Sequence, residues 1–118
     1  MKRKTSRKSG GDKSIPRSTN SSLRIIGGDF RGRRIRYSGD PHVRPMKDRV
    51  REALFNLVGP SVKGTHAIDL FAGTGALAFE ALSRGATSAT AIERHFPTAR
   101  IIQENARHLG VTDRKSVV

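Results

Sequence analysis

Asp69, Gly73, Thr74, Gly75 and Glu93 are the residues whose types and spacing could do chemistry together. The apolar run Ala67-Ile68-Asp69-Leu70-Phe71 carries an acid near its end, Gly73-Thr74-Gly75 follows, and then an Ala/Leu-rich segment opens at Ala76. That order predicts a strand, a tight ligand-cradling loop and a helix N-terminus. In an open parallel sheet, ligands bind outside the carboxyl ends of the strands. Asp69, Phe71, the Gly73–Gly75 loop and Glu93 are therefore expected to meet at one ligand. The glycines let the backbone approach it closely, and Glu93 is placed to accept two hydrogen bonds from a ribose diol.

Two nucleotide ligands compete for this arrangement. Gly73-Thr74-Gly75-Ala76-Leu77-Ala78 fits the GxGxxG/A dinucleotide fingerprint, and Glu93 falls 18 residues after Gly75, near the spacing for a nicotinamide dinucleotide. A pyrophosphate cradle, however, puts glycine directly after the strand and gains nothing from a carboxylate beside the anion. Asp69 stands four residues before the first glycine. It suits a cationic ligand such as the α-ammonium group of S-adenosyl-L-methionine, reached directly or through water. A third reading makes Asp69 a polar strand end that caps local amides. The residues favour the methyl donor and leave the other two open.

The scaffold that must position these groups is α/β. Ala67–Phe71 is nearly all apolar, as expected of a parallel strand covered on both faces. Ala76–Arg84 predicts a helix with Gly85 past its end, and Ser88–Glu93 the next strand. Pro97–Leu109 predicts a second helix, with Pro97 in its first turn and Gly110 beyond it. Ser116-Val117-Val118 opens a third strand, giving a right-handed parallel βαβαβ unit. Upstream, Asp48 reads as the N-cap of a helix ended by Gly59-Pro60. Its Val50, Ala53, Leu54, Leu57 and Val58 fall at helical spacing and predict the apolar face, while Arg49, Arg51, Glu52 and Asn56 predict a solvated one. Earlier still, Leu23–Ile26 and Arg33–Tyr37 flank the turn chemistry of Gly27-Gly28-Asp29-Phe30-Arg31-Gly32 and predict a β-hairpin.

Charge is uneven along the 118 residues. Residues 1–51 hold 16 of the 23 Lys and Arg and 4 of the 10 acids, a net of +12, whereas residues 52–118 are nearly neutral. That is the footprint of a polyanion partner, most simply nucleic acid. In the hairpin, Arg34 and Arg36 face away from Ile35 and Tyr37, and Arg31 and Arg33 sit at the turn. These four guanidinium groups are the candidate phosphate contacts. Phe30 could stack on an unpaired base or pack beneath the hairpin, and packing is favoured for Tyr37. Residues 1–22 carry too few apolar groups to offset their ordering entropy and are expected to form a disordered basic tail.

Composition excludes several classes. With no cysteine, neither disulfides nor the common zinc sites can form. No metal site is expected, and His42 reads as a loop residue. No apolar run approaches a membrane span, and the tail lacks the apolar core of a secretory signal. A cytoplasmic protein is the default. The tail's basic, Ser-rich composition resembles some organelle transit peptides but has no amphipathic stripe.

Asp69-Leu70-Phe71-Ala72-Gly73-Thr74-Gly75-Ala76-Leu77 resembles motif I of class I S-adenosylmethionine-dependent methyltransferases. More closely, three stretches resemble the bacterial small-subunit (16S) ribosomal RNA (guanine-N2) methyltransferases: Leu23–Arg34, Arg44-Pro45, and Asp48-Arg49-Val50-Arg51-Glu52-Ala53-Leu54-Phe55-Asn56. Glu80–Ala86 and Ile92-Glu93-Arg94 extend that likeness, which covers residues 23–118. It implies a Rossmann-like class I methyltransferase fold with a basic hairpin (23–43), a helix (44–60) and a cofactor-binding half (66–118). It also implies S-adenosyl-L-methionine as cofactor, a guanine N2 of small-subunit rRNA or of the assembling subunit as target, and a monomer. Asp69 and Gly73–Gly75 would hold the methionine end, Glu93 the ribose, and Arg44–Asn56 would close over the cofactor. Met46-Lys47 departs from the small hydroxyl residues expected after Arg44-Pro45.

The family's catalytic Asn/Asp-Pro-Pro-Phe/Tyr tetrapeptide, which orients the target amine and stacks the flipped base, has no counterpart here. Prolines stand only at 16, 41, 45, 60 and 97. No catalytic residue is therefore assigned. The sequence reads as an N-terminal part of such an enzyme, expected to be inactive alone and poorly soluble or partly folded, with an apolar sheet edge and face left uncovered. The rival expectation is a non-catalytic basic RNA-binding protein with a vestigial nucleotide fold.

Overall fold

The computed structural model describes residues 22–39, 45–70 and 72–117, and no side chains for 116 and 117. The expectations for residues 1–21, His42, Arg44 and Phe71 lie outside the described residues. Ser22, assigned to the tail from composition, is the first residue of a strand.

Strands β1 (Ser22–Arg24) and β2 (Arg34–Arg36) form the expected antiparallel hairpin, with Leu23 opposite Ile35 and Arg24 opposite Arg34. The two-residue period buries Leu23 and Ile35 and leaves Arg24, Arg34 and Arg36 outside. Tyr37 and Phe30 both pack against the apolar core.

Helix α1 (Asp48–Val58) runs into a 3-10 turn over Gly59–Val62. Two expectations about it are corrected. Asp48 is the first helical residue and not the cap; Lys47 takes the cap position without a side-chain bond. The Asp48 carboxylate is instead drawn to Arg24 Nε at 2.9 Å and Arg51 Nη2 at 3.0 Å. The helix is also rotated relative to its apolar periodicity. Arg51 and Phe55 are its buried residues, while Val50, Leu54, Leu57 and Val58 are exposed. Acceptors decide this: Arg51 donates to Glu80 Oε1 at 3.2 Å, Met46 O at 2.9 Å, Arg24 O at 2.6 Å and Asp48 Oδ1. A buried guanidinium is tolerated when its donors find acceptors, and the described residues supply four for its five N–H groups.

Three parallel strands follow, β3 (His66–Leu70), β4 (Ser88–Ile92) and β5 (Lys115–Val117), in the order β3-β4-β5. Helix α2 (Ala76–Ser83) connects the first pair and α3 (Phe96–Leu109) the second. Because the strands advance in one direction, right-handed crossovers place both helices on one face. That face carries Ala67, Asp69, Ala89 and Ala91, small enough for α2 to lie close to β3 and β4. The opposite face carries Ile68 and Leu70, each 62% exposed, with Ile92 beside them. The expectation that β3 is covered on both faces is thus corrected: among the described residues it is an edge strand covered on one. Ile25, Ile35, Phe79, Leu82, Ile102 and Val111 are the largest fully buried apolar side chains, where hairpin, helices and sheet meet.

Candidate functional site

Helix α2 begins without a capping side chain of its own. Its cap position is Gly75, at φ 81°. A Cβ there would stand 3.1 Å from Phe79 and 3.3 Å from Ile102, so both the left-handed backbone and the close approach of α3 demand glycine. Gly73, at φ 56°, makes the preceding turn. The orphan amides of the first turn find acceptors elsewhere. Ala76 N donates to Thr74 Oγ1 at 3.2 Å, and Ala78 N donates to Asp69 Oδ2 at 3.3 Å. Asp69 thereby supplies the anionic cap from the end of β3.

Thr74 and Asp69 are buried and Glu93 is half-buried. Glu93 Oε1 accepts the Gly73 amide at 2.9 Å and its Oε2 the His95 amide at 3.0 Å. Ala72 N donates to Ile92 O at 2.9 Å. The loop after β3 is therefore fastened to the end of β4 by one backbone and one side-chain bond. Each Glu93 oxygen keeps further lone-pair capacity for a ligand hydroxyl. Asp69, Gly73, Thr74, Gly75 and Glu93 are thus brought together at the carboxyl ends of adjacent strands.

Burial pushes the Asp69 carboxyl up to about 6; the Ala78 amide opposes the rise, and the Glu93 charge adds to it. Among the described residues Ala78 is the one donor to this carboxylate, and they leave its other oxygen without a hydrogen bond. An ammonium or N–H donor fits that oxygen; a phosphate does not. Asp69 also lines an apolar groove of ≈ 370 Å³ between α1, β3 and α2, whose walls include Leu54, Phe55, Leu70 and Leu77.

The four hairpin arginines are not equivalent. Arg31 is exposed at the turn. Arg33 lies over the Phe30 ring, 5.8 Å from its centroid, and donates to His108 O at 3.2 Å, capping the last turn of α3. Arg34 donates to Ser22 Oγ at 2.9 Å, and Arg36 pairs with Glu104 at 2.9 Å on the surface. Asn105 holds β2 in place by accepting from Arg36 N at 3.0 Å and donating to Arg36 O at 2.6 Å. Between β2 and α3 lies a cleft of ≈ 440 Å³ lined by Arg34, Arg36, Glu104, Asn105 and His108. Sequence reading passed over Asn105 and His108, because nothing in a single helix shows which strand will lie along it. Among the described residues, no group of His, Cys, Asp and Glu is arranged to hold a metal, and no helix is long and apolar enough to cross a membrane.

A family model described as Conserved hypothetical protein 95 matches residues 23–118. The Ribosomal RNA small subunit methyltransferase D of Escherichia coli K12 is 50% identical over 76 residues, covering 64% of this chain and 38% of that protein. Its counterpart in Haemophilus influenzae is 38% identical over 96 residues, covering 81% of this chain and 50% of the relative. The solved structure of the Escherichia coli protein yhhF, described as a candidate methyltransferase, superposes with a TM-score of 0.76 at 40% identity, covering 83% of this chain and 52% of that one. The chain thus spans about half the length of these relatives, or less. Its α/β architecture is the Rossmann-like arrangement of class I methyltransferases, and the chain belongs to the Conserved hypothetical protein 95 family, that of the bacterial small-subunit ribosomal RNA methyltransferases.

Proposed function

We propose that these residues are the cofactor-binding part of an S-adenosyl-L-methionine-dependent methyltransferase that acts on a guanine N2 of small-subunit ribosomal RNA. The carrying observation is the buried Asp69 carboxylate, with an oxygen unused among the described residues, beside the glycine loop that Glu93 fastens. Bound S-adenosyl-L-methionine supplies an electrophilic methyl group. Asp69 accepts from its ammonium, the Gly73-Thr74-Gly75 backbone lies against its methionine end, and Glu93 accepts from its ribose hydroxyls. Arg31, Arg33, Arg34 and Arg36 meet the RNA backbone as charges that position without reading sequence. The domain comprises residues 23–118 preceded by a basic tail, in a cytoplasmic protein whose partner is rRNA or the assembling small subunit.

No Pro-Pro pair occurs in this sequence, so orientation of the guanine amine is not assigned to any of its residues, and the chain by itself is expected to bind and not to turn over. Calorimetry with S-adenosylhomocysteine and with NAD tests the reading. Binding of the former alone supports it. Binding of NAD alone overturns it, and RNA binding without affinity for either nucleotide favours a non-catalytic RNA-binding protein.

A further inference from the structure

Glu80 is fully buried in the second half of α2, a helix otherwise apolar but for Ser83. Its Oε1 accepts from Ile26 N at 3.0 Å and Arg51 Nε at 3.2 Å, and its Oε2 from Gly27 N at 2.9 Å and Arg84 Nε at 2.8 Å. One turn on, Ser83 Oγ donates to Gly27 O at 2.5 Å and accepts from Phe30 N at 2.9 Å, while Ser83 O accepts from Asp29 N at 2.8 Å. A Cβ on Gly28 would stand 2.0 Å from Ser83 O. The hairpin turn is therefore seated on the C-terminal half of the helix whose N-terminus carries the glycine loop. Arg51 closes the joint from α1 by bonding Glu80 and the Arg24 carbonyl at once.

Burying a carboxylate and a guanidinium rarely adds net stability over apolar packing of the same volume. What it gives is geometry: two charges with every partner fixed hold one arrangement. We infer that Glu80 and Arg51, with Ser83, are positioning residues that hold the basic hairpin at a fixed offset from the methyl-donor loop. Eight helical residues at about 1.5 Å each make α2 a spacer of about 12 Å between the two. RNA caught by the arginines is thus presented at a set distance from the donor. This rests on the proposed function for the identity of both ligands, but the joint itself can be tested without them.

Glu80→Gln keeps the volume and loses the charge and one acceptor. Hydrogen exchange of the whole chain reads the joint directly. The amides of Ile26, Gly27, Asp29 and Phe30 should exchange at least about tenfold faster while β3, β4 and α3 keep their protection. Binding to a small-subunit rRNA fragment should weaken about tenfold with an unchanged salt slope, since every arginine is still present, and S-adenosylhomocysteine affinity should move much less. Ser83→Ala, which removes only two hairpin bonds, should show the same pattern at smaller amplitude and serves if Glu80→Gln does not fold. Unchanged exchange in both variants overturns the joint. Faster exchange with unchanged RNA affinity overturns its positioning role. Wild-type protein that ignores both ligands overturns the functional reading, and the exchange experiment still decides whether Glu80 holds the hairpin.

Discussion

Glu93 Oε1 and the Gly73 amide lie 2.9 Å apart, so a side chain at the end of β4 holds the backbone of the loop that follows β3. The same carboxylate accepts the His95 amide. One acidic residue thus ties together the loops that follow β3 and β4. Glu93→Ala should weaken S-adenosylhomocysteine binding by at least about 1–2 kcal/mol in calorimetry, because it removes the proposed ribose acceptor and releases Gly73 together. Glu93→Gln, which can still accept one amide, should fall between wild type and alanine. Equal affinity in all three proteins would move the ribose elsewhere.

Asp69 gives the site a pH signature. Its pKa is raised to about 6 in the fold, from 3.8. Between those values the native state binds more protons than the unfolded one, so this group's contribution to stability falls as pH rises from about 4 to about 6. Above 6 the ionised carboxyl costs at most about 2–3 kcal/mol. Asp69→Asn should therefore melt higher than wild type near neutral pH, and the difference should shrink as the pH approaches 4. A bound ammonium favours the ionised form, so affinity for S-adenosylhomocysteine should drop as pH falls below about 6 in wild type and be weak and flat in Asp69→Asn. A pH-independent affinity in wild type would leave Asp69 as a helix cap and nothing more.

The arginines of the hairpin divide by what else they hold. Arg31 is exposed, and Arg31→Ala should lower the slope of log affinity against log salt by about one for RNA with stability unchanged. Arg33 caps α3 and covers Phe30. Arg33→Ala should therefore cost about 1 kcal/mol in denaturant unfolding as well, whatever it does to RNA. If thermal and denaturant stability respond alike to both substitutions, the cap is not worth what its geometry suggests.

The hairpin, the glycine loop and the C-terminal end of α3 were legible because each is written locally. Gly27-Gly28 and Gly73-Thr74-Gly75 announce turns, and Gly110, which the sequence places just past the helix, is the left-handed C-cap of α3 at φ 76°. The buried face of α1 was not legible. Periodicity counts apolar residues and ranks Arg51 as solvent-facing, whereas the fold brings Glu80 to it from 29 positions ahead and the Arg24 carbonyl from 27 positions behind. Similarly, Ala67–Leu70 reads as apolar on both faces, but composition does not say how much of the sheet lies beside it. Charge density located the basic hairpin. It did not show that Arg33 and Arg36 are partly occupied by α3.

Rotating α1 toward Arg51 leaves Val50, Leu54, Leu57 and Val58 outward, and Leu57 is 86% exposed. Ile68, Leu70 and Ile92 add exposed apolar groups on the open sheet face. Among the described residues one edge of β3 has no partner strand, which adds backbone donors and acceptors that another chain can use. Self-association is therefore expected to rise with concentration despite a net charge of +13. Leu57→Glu combined with Ile68→Thr should lower it, since Leu57 makes little buried contact to lose and threonine keeps the β-branch that suits a strand. Sedimentation velocity across a concentration series reads the effect directly. The double variant should sediment as a slower species over the range in which wild type broadens and speeds up, with its thermal midpoint within a few degrees of wild type. A sedimentation profile indistinguishable from wild type would place the association on the basic hairpin or elsewhere, and raising the salt would then be expected to change it.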